Sequence, residues 1–160
     1  MRRCHLLIPV LLLAAACGGD DDPAPFASIT EFSPESLDPT DDAADDLTIL
    51  LEYRDADGDL GDGIAEVHDC RAEDLVATFD LPAIASEEAV EDGVPIEGML
   101  SIVVADVGDI PTDSRPPRAC EDLGIDSVAS GESVFCVVLI DAAGNAGTGD
   151  CTGTVTIATP

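Results

Sequence analysis

The sequence predicts an all-β fold, a single sandwich of about seven strands. Short segments with apolar alternation or continuous apolar character are separated by Gly, Pro, Asp and Asn, which favour turns. No segment of ten or more residues carries a convincing helical period. Hydrophobic residues make up 46% of the chain and aromatic residues 3%, so a core is available that consists mainly of aliphatic side chains.

Three strands have the clearest patterns. In Leu47–Arg54, apolar side chains alternate with polar ones, which predicts a strand with one buried face. The seven apolar residues Val134–Ile140 predict a central strand that is covered on both faces. Near the C-terminus, Val155 and Ile157 alternate with threonines and predict a half-exposed last strand.

The remaining strands have weaker patterns. They are predicted near Ala27–Phe32, Ile64–His68, Leu75–Leu81 and Met99–Ala105. The acidic, proline-bearing segment Pro34–Asp46 is predicted to be a loop outside the core that connects the first two strands.

The N-terminus has the pattern of an export signal. Arg2 and Arg3 precede an apolar stretch that ends at Ala16, and this stretch is about half as long as a membrane-spanning helix. The segment Leu13-Ala14-Ala15-Ala16-Cys17 resembles the lipobox of bacterial lipoproteins. The resemblance implies a signal peptide over 1–16, a lipid on Cys17 that anchors the protein to the membrane, and a Gly-rich acidic tether over 17–25 before a domain at 26–160. It also implies a location in the bacterial cell envelope, where Gly18 after the cysteine favours the outer membrane over the inner. The alternative is that Ala14-Ala15-Ala16 serves as an ordinary cleavage site and the protein is exported in soluble form.

The charge of the chain excludes several classes of partner. With 34 acidic and 6 basic residues, the formal net charge is -28. Such a protein repels phosphate backbones and anionic headgroups, so we expect no binding to nucleic acid. Cations are the expected ligands.

A cluster of carboxylates follows the second predicted strand. Asp55, Asp57, Asp59 and Asp62 fall within eight residues, interspersed with glycines. Oxygen ligands at alternate positions in a loop that can curl around a centre suit Ca²⁺. The spacing is that of an EF-hand, but Leu60 occupies the position where an EF-hand requires glycine, and the flanks are predicted strands. The sequence therefore predicts a calcium-binding loop on a β-sandwich, with a solvated acidic turn as the alternative.

A second loop leads to a family resemblance. The V-x-I-D-x-x-G-N pattern that ends at Asn145 resembles bacterial immunoglobulin-like and cadherin-like domains, and the Y-x-D-x-D-G-D-L-G pattern that starts at Tyr53 is similar to a loop of lipid-anchored bacterial sandwich domains. The resemblance implies an immunoglobulin-like topology, in which these two loops emerge at the same end. Asp141 and Asn145 are then expected to join the calcium ligands, although both residues also favour a local turn.

The cysteine count supports both the lipid and the topology. Cleavage after Ala16 leaves five cysteines, and lipidation of Cys17 leaves four. Four cysteines allow three connectivities, of which the implied topology favours Cys70 with Cys120 and Cys136 with Cys151. A metal–thiolate site is the less favoured alternative, because exported thiols are usually oxidised.

No catalytic motif is present, and His68 is the only histidine after the signal segment. We therefore expect a protein without enzymatic activity: a lipid-anchored envelope protein whose immunoglobulin-like sandwich has a structural or protein-binding role and is ordered by calcium. Two alternatives remain open. One is a small periplasmic hydrolase or an accessory subunit of an envelope enzyme, with its site in Ala83–Gly98 or Gly108–Asp126, and the other is an acidic spacer.

Overall fold

A computed structural model of the chain describes residues 23–41, 45–71, 76–84, 90–107 and 116–158. In these ranges the chain forms ten strands, and the predicted all-β fold is confirmed. The strands are β1 (Phe26–Ser33), β2 (Ser36–Leu37), β3 (Leu47–Asp55), β4 (Ile64–Asp69), β5 (Val76–Asp80), β6 (Ile96–Val104), β7 (Glu132–Ser133), β8 (Phe135–Ile140), β9 (Asp150–Cys151) and β10 (Val155–Ile157). Three of the ten, β2, β7 and β9, are only two residues long, which is why about seven were predicted.

Two antiparallel sheets form a β-sandwich, and a third, mixed sheet has the strand order β2-β10-β7. One sheet has the strand order β1-β3-β6, and the other has the order β5-β4-β8-β9. The chain crosses from the first sheet to the second after β3, returns for β6 and crosses again to β8, as in immunoglobulin-like domains. The crossing after β3 is made by the predicted calcium loop.

The core lies between the facing sides of the two sheets. Because side chains alternate along a strand, every second residue of β3 and of β8 is directed inward. The buried core consists of aliphatic residues with one Phe and one Tyr: Ala27, Leu37, Leu47, Ile49, Leu51, Tyr53, Leu60, Ala65, Val67, Leu81, Ile102, Val107, Phe135, Val137, Leu139, Val155 and Ile157. This is the core that the low aromatic content predicted.

One segment differs from its prediction. Pro34–Asp46 was expected to be a loop outside the core, but this segment contains the strand β2, and Leu37 of β2 is fully buried. Ser36 and Leu37 pair in parallel with β10, which also pairs with β7. The reason is that β10 pairs with β7 along one edge and its other edge is open for pairing, and the pairing with β2 brings Leu37 into the buried core. Residues 42–44 of this segment lie outside the described residues.

The N-terminal predictions fall mainly on residues that the structure does not describe. The signal segment, Cys17 and the tether as far as residue 22 are outside the described ranges. Pro25, which the predicted tether includes, is fully buried against the domain. Among the described residues, no helix has both the length and the apolar character needed to cross a membrane.

A short helix, α1 (Arg118–Asp122), packs against the outer face of the four-stranded sheet. Its Cys120 is fully buried and bonded to Cys70 at the end of β4, while Cys136 on β8 is bonded to Cys151 on β9. Both predicted cysteine pairs therefore lie at bonding distance. Cys136 and Cys151 are directly paired across the β8–β9 ladder.

Candidate metal centre

Asp55 is buried because it continues the inward face of β3. Leu51 and Tyr53 point into the core, and Asp55 follows with the same parity. Only 2% of Asp55 is exposed to solvent. Its Oδ2 accepts a hydrogen bond of 2.8 Å from the backbone N–H of Leu60, which closes the loop over the end of the strand. Its Oδ1 has no hydrogen-bond donor among the described residues.

Three carboxylates converge at this position. Asp55, Asp57 and Asp59 each direct an oxygen into one group, in which all of these atoms lie within 4.8 Å of one another. Both carboxylate oxygens of Asp57 are buried, and neither has a hydrogen-bond partner in the described part of the chain. A buried carboxylate oxygen without a donor is costly, since burial of a charge requires a compensating partner.

The glycines of this loop let its backbone approach neighbouring segments closely. Gly58 has φ +82°, and a Cβ at this position would overlap the carbonyl oxygen of Val94. A Cβ on Gly61 would come within 2.9 Å of the backbone nitrogen of Ile84. The sequence Asp-x-Asp-Gly-Asp therefore provides carboxylates at alternate positions. Its glycine adopts a positive φ and leaves room for the nearby backbone of Val94.

The fourth predicted ligand of this loop lies elsewhere. Asp62 is exposed, has φ +64° and is not a member of the group. Glu66, which has the spacing of the last EF-hand ligand, lies on β4, where its Oε2 is 3.2 Å from Nε2 of His68. The loop is flanked by strands β3 and β4, as expected from the pattern that argued against an EF-hand.

The second predicted loop meets the first through the main chain. The N–H of Ala142 donates a 3.2 Å hydrogen bond to the carbonyl oxygen of Asp59, so the two loops do emerge at the same end. Asp141 is not a member of the group, and its carboxylate binds Asn145: Oδ1 accepts from the backbone N–H of Asn145 at 2.7 Å, and Oδ2 accepts from its Nδ2 at 3.0 Å. Asp141 and Asn145 thus form the local turn that their residue types favour.

The arrangement of the three aspartates fits a calcium ion. Two oxygens that bind one Ca²⁺ at 2.3–2.6 Å are at most about 5 Å apart. Without a cation, two unit charges 4.8 Å apart repel each other by about 3 kcal/mol at an effective dielectric constant of 20. A divalent cation converts this repulsion into attraction and provides partners for the buried oxygens of Asp55 and Asp57.

A buried ionic network at the opposite end was not predicted. The guanidinium of Arg71 contacts both carboxylate oxygens of Asp69, with Nη2 2.6 Å from Oδ2, and the hydroxyl of Ser133 donates to Oδ1 at 2.6 Å. Basic residues are so few in this chain that an Arg two positions after an Asp at a strand end was a usable signal.

His68 lies on the outer face of the four-stranded sheet, 8% exposed. It is near Glu66, but neither ring nitrogen makes a hydrogen bond with a described residue. The buried hydroxyl of Ser133 donates to Asp69. The Ser–His–carboxylate constellation that a hydrolase centred on His68 requires is therefore not assembled by these side chains.

The chain matches no known protein-family model and no curated protein.

Proposed function

We propose that this chain is a lipid-anchored bacterial envelope protein, and that its immunoglobulin-like domain has a structural or protein-binding role and binds Ca²⁺ through Asp55, Asp57 and Asp59. The observation that carries the calcium site is the set of buried carboxylate oxygens on Asp55 and Asp57 that have no donor among the described residues.

Calcium suits this group better than magnesium. The ligands are carboxylates on a loop, and Ca²⁺ accepts six to eight oxygens in flexible geometry. Mg²⁺ demands near-ideal octahedral geometry and retains several waters, which is unfavourable where the carboxylate oxygens are already buried. Soft metals are disfavoured because the group has neither a thiolate nor an imidazole.

The ion would act as a structural cross-link at one end of the sandwich. The loop that carries the three aspartates packs against the backbone near Ile84 and Val94 and is hydrogen-bonded to Ala142. Fixing this loop therefore restrains two other connections, the one between β5 and β6 and the one between β8 and β9. A set of ordered loops at one end of a sandwich is the usual position for contact with another protein. The strong negative charge supports a cationic surface as the partner.

The lipid anchor is supported by the use of the cysteines. Cys70, Cys120, Cys136 and Cys151 form two disulfides, so none of them is left to pair with Cys17. The lipobox-like segment gives Cys17 another role as the acylated N-terminal residue, and Gly18 favours delivery to the outer membrane.

A calcium titration with a matched control tests the site. Asp57→Asn in the full-length chain should reduce the affinity for Ca²⁺ at least about tenfold, or about 1.4 kcal/mol, by isothermal titration calorimetry. Asp62→Asn removes the same charge from the same loop but outside the group, and it should leave the affinity within about twofold, because charges outside the group are more strongly screened. Equal losses of affinity in the two variants would show that Ca²⁺ is attracted by the general negative charge of the loop and not bound at a specific site.

The lipid is tested by mass. Protein extracted from membranes should exceed the mass of the chain that begins at Cys17 by one diacylglyceryl group with or without a further acyl group. The Cys17→Ser variant should be absent from the membrane fraction. An unmodified mass for the membrane-bound protein would reject the anchor without affecting the calcium site.

A further inference from the structure

The two disulfides are in contact with each other. Sγ of Cys70 lies 3.4 Å from Sγ of Cys136, although each is bonded to a different partner. The reason lies in the sheet register: His68 pairs with Cys136, and Cys70 follows His68 by two positions, so both cysteines project from the same face. The sulfurs of Cys70, Cys120 and Cys136 all lie within 4.8 Å of one another.

The four cysteines differ in their access to solvent. Cys70, Cys120 and Cys136 are fully buried, whereas Cys151 is half-buried. Its sulfur does not belong to the group in which the other three all lie within 4.8 Å. A thiolate in solution therefore reaches Cys151 first, and the Cys70–Cys120 bond has no comparable exposed end.

We propose that Cys136 relays thiol–disulfide exchange from Cys151 to the buried Cys70–Cys120 disulfide. In the first step an external thiolate attacks Sγ of Cys151, a mixed disulfide forms, the Cys136–Cys151 bond breaks, and Cys136 leaves as a thiolate. In the second step Cys136 attacks Sγ of Cys70, a Cys70–Cys136 bond forms, and Cys120 leaves as a thiolate. Each step exchanges one thiolate for another without net oxidation, and the external thiol is the only co-reactant.

The consequence is the release of α1 from its covalent bond to the sheet. Before exchange, Cys120 joins α1 to the end of β4. After exchange, the sheet keeps a cross-link between the ends of β4 and β8, while α1 loses its covalent bond and keeps the packing of neighbours such as Leu123 and Ile125 against the buried cysteines. A thiolate that attacks the half-buried Cys151 thereby leads to the release of the buried Cys120 from Cys70.

Two single substitutions separate the relay from a nonspecific effect of a free thiol. Both are made in the full-length chain that also carries Cys4→Ser and Cys17→Ser. Cys151→Ser leaves Cys136 as the free thiol in contact with Cys70, whereas Cys136→Ser leaves Cys151 as the free thiol. After incubation at pH 8.5, where the thiolate is favoured, the chains are quenched with acid, alkylated and mapped by mass spectrometry.

The relay predicts that Cys151→Ser loses the Cys70–Cys120 peptide and gains an equal amount of the Cys70–Cys136 peptide, with the alkyl group on Cys120. In the control Cys136→Ser, the Cys70–Cys120 peptide should be retained in full, with the alkyl group on Cys151. A folded Cys151→Ser protein that keeps Cys70–Cys120 and is alkylated only on Cys136 would overturn the proposal.

A second measurement needs neither of these substitutions, in case Cys151→Ser does not fold. The same Cys4→Ser, Cys17→Ser chain is treated with less than one equivalent of reduced glutathione and then mapped. The relay predicts glutathione on Cys151 together with a Cys70–Cys136 bond and a free Cys120. Glutathione on Cys151 with Cys136 free and Cys70–Cys120 intact would contradict it.

Discussion

Asp69 and Arg71 form an ion pair in a place where water cannot compensate for the loss of either partner. The Arg71 and Asp69 side chains are 8% and 10% exposed, and Ser133 adds a hydroxyl donor to the same carboxylate. Breaking a buried pair by removing one partner leaves an uncompensated charge, which costs more than the pair itself contributes. The stability of the sandwich at the end opposite the candidate metal centre therefore depends on Asp69, Arg71 and Ser133.

Arg71→Met should destabilise the protein by about 3 kcal/mol or more in urea unfolding with the disulfides intact, because Asp69 loses its cation while the aliphatic volume is kept. Arg54→Met is the matched control. Arg54 also lies beside a glutamate, Glu97, but at 3.9 Å and with 63% of its side chain exposed. Its loss should be below about 1 kcal/mol. Similar losses in the two variants would contradict the role given to burial.

The candidate site was only partly readable from individual residues of the sequence. Asp55, Asp57, Asp59 and Asp62 were predicted as a group because the loop can curl around a centre; the first three converge, and Asp62 lies outside their group. Asp141 has the same chemistry but accepts both of its hydrogen bonds from Asn145, four residues later. The sequence indicates both a ligand and a local turn at that position, and the local turn depends on hydrogen bonds that are visible only in the three-dimensional path of the loop.

At the scale of elements, Gly58 in the turn between β3 and β4 meets two requirements at once. Gly58 combines φ +82° with a close approach to the carbonyl oxygen of Val94. Gly144 has φ +92°, and a Cβ added there would meet no atom within 4 Å, so it has the same backbone requirement without the close approach.

Gly144→Ala should therefore cost about 1 to 2 kcal/mol, the penalty of a left-handed conformation. Gly58→Ala should cost at least about 1 kcal/mol more, because the methyl group also displaces the segment near Val94. It should weaken Ca²⁺ binding as well, since it moves the loop that carries the ligands. Thermal unfolding and calcium titration of both variants measure these differences, and equal stability losses would show that the packing against Val94 is unimportant.

Elements with a long pattern were predicted well, and those without one were missed. In β3, apolar and polar residues alternate from Leu47 to Arg54 except at Leu50, and β8 has six apolar residues in a row, so each pattern indicates the burial of its own strand. By contrast, β2, β7 and β9 have two residues each and no period to detect. Leu37 illustrates the limit: its proline-bearing acidic surroundings indicate a loop, while its burial depends on β10, which is more than a hundred residues away.

For the whole molecule, the dominant physical feature is the formal charge of -28 on 160 residues. Self-repulsion of this kind opposes the compact state and is reduced by any salt. The two disulfides and the buried core offset it everywhere in the domain, whereas a bound divalent cation offsets it at one end. A test of the calcium site must therefore separate specific binding from general screening.

Thermal unfolding separates specific binding from general screening directly. The full-length chain, with its disulfides formed, is unfolded in Ca²⁺, in an equal concentration of Mg²⁺ and in excess chelator. A cation at one hundred times its dissociation constant adds about 2.7 kcal/mol, which raises the Tm of a domain of this size by roughly 5 to 10 °C. We predict this rise in Ca²⁺ and a much smaller one in Mg²⁺, with the difference abolished by Asp57→Asn. Equal Tm values in Ca²⁺, Mg²⁺ and chelator, or a calcium effect that survives Asp57→Asn, would contradict the proposed calcium site.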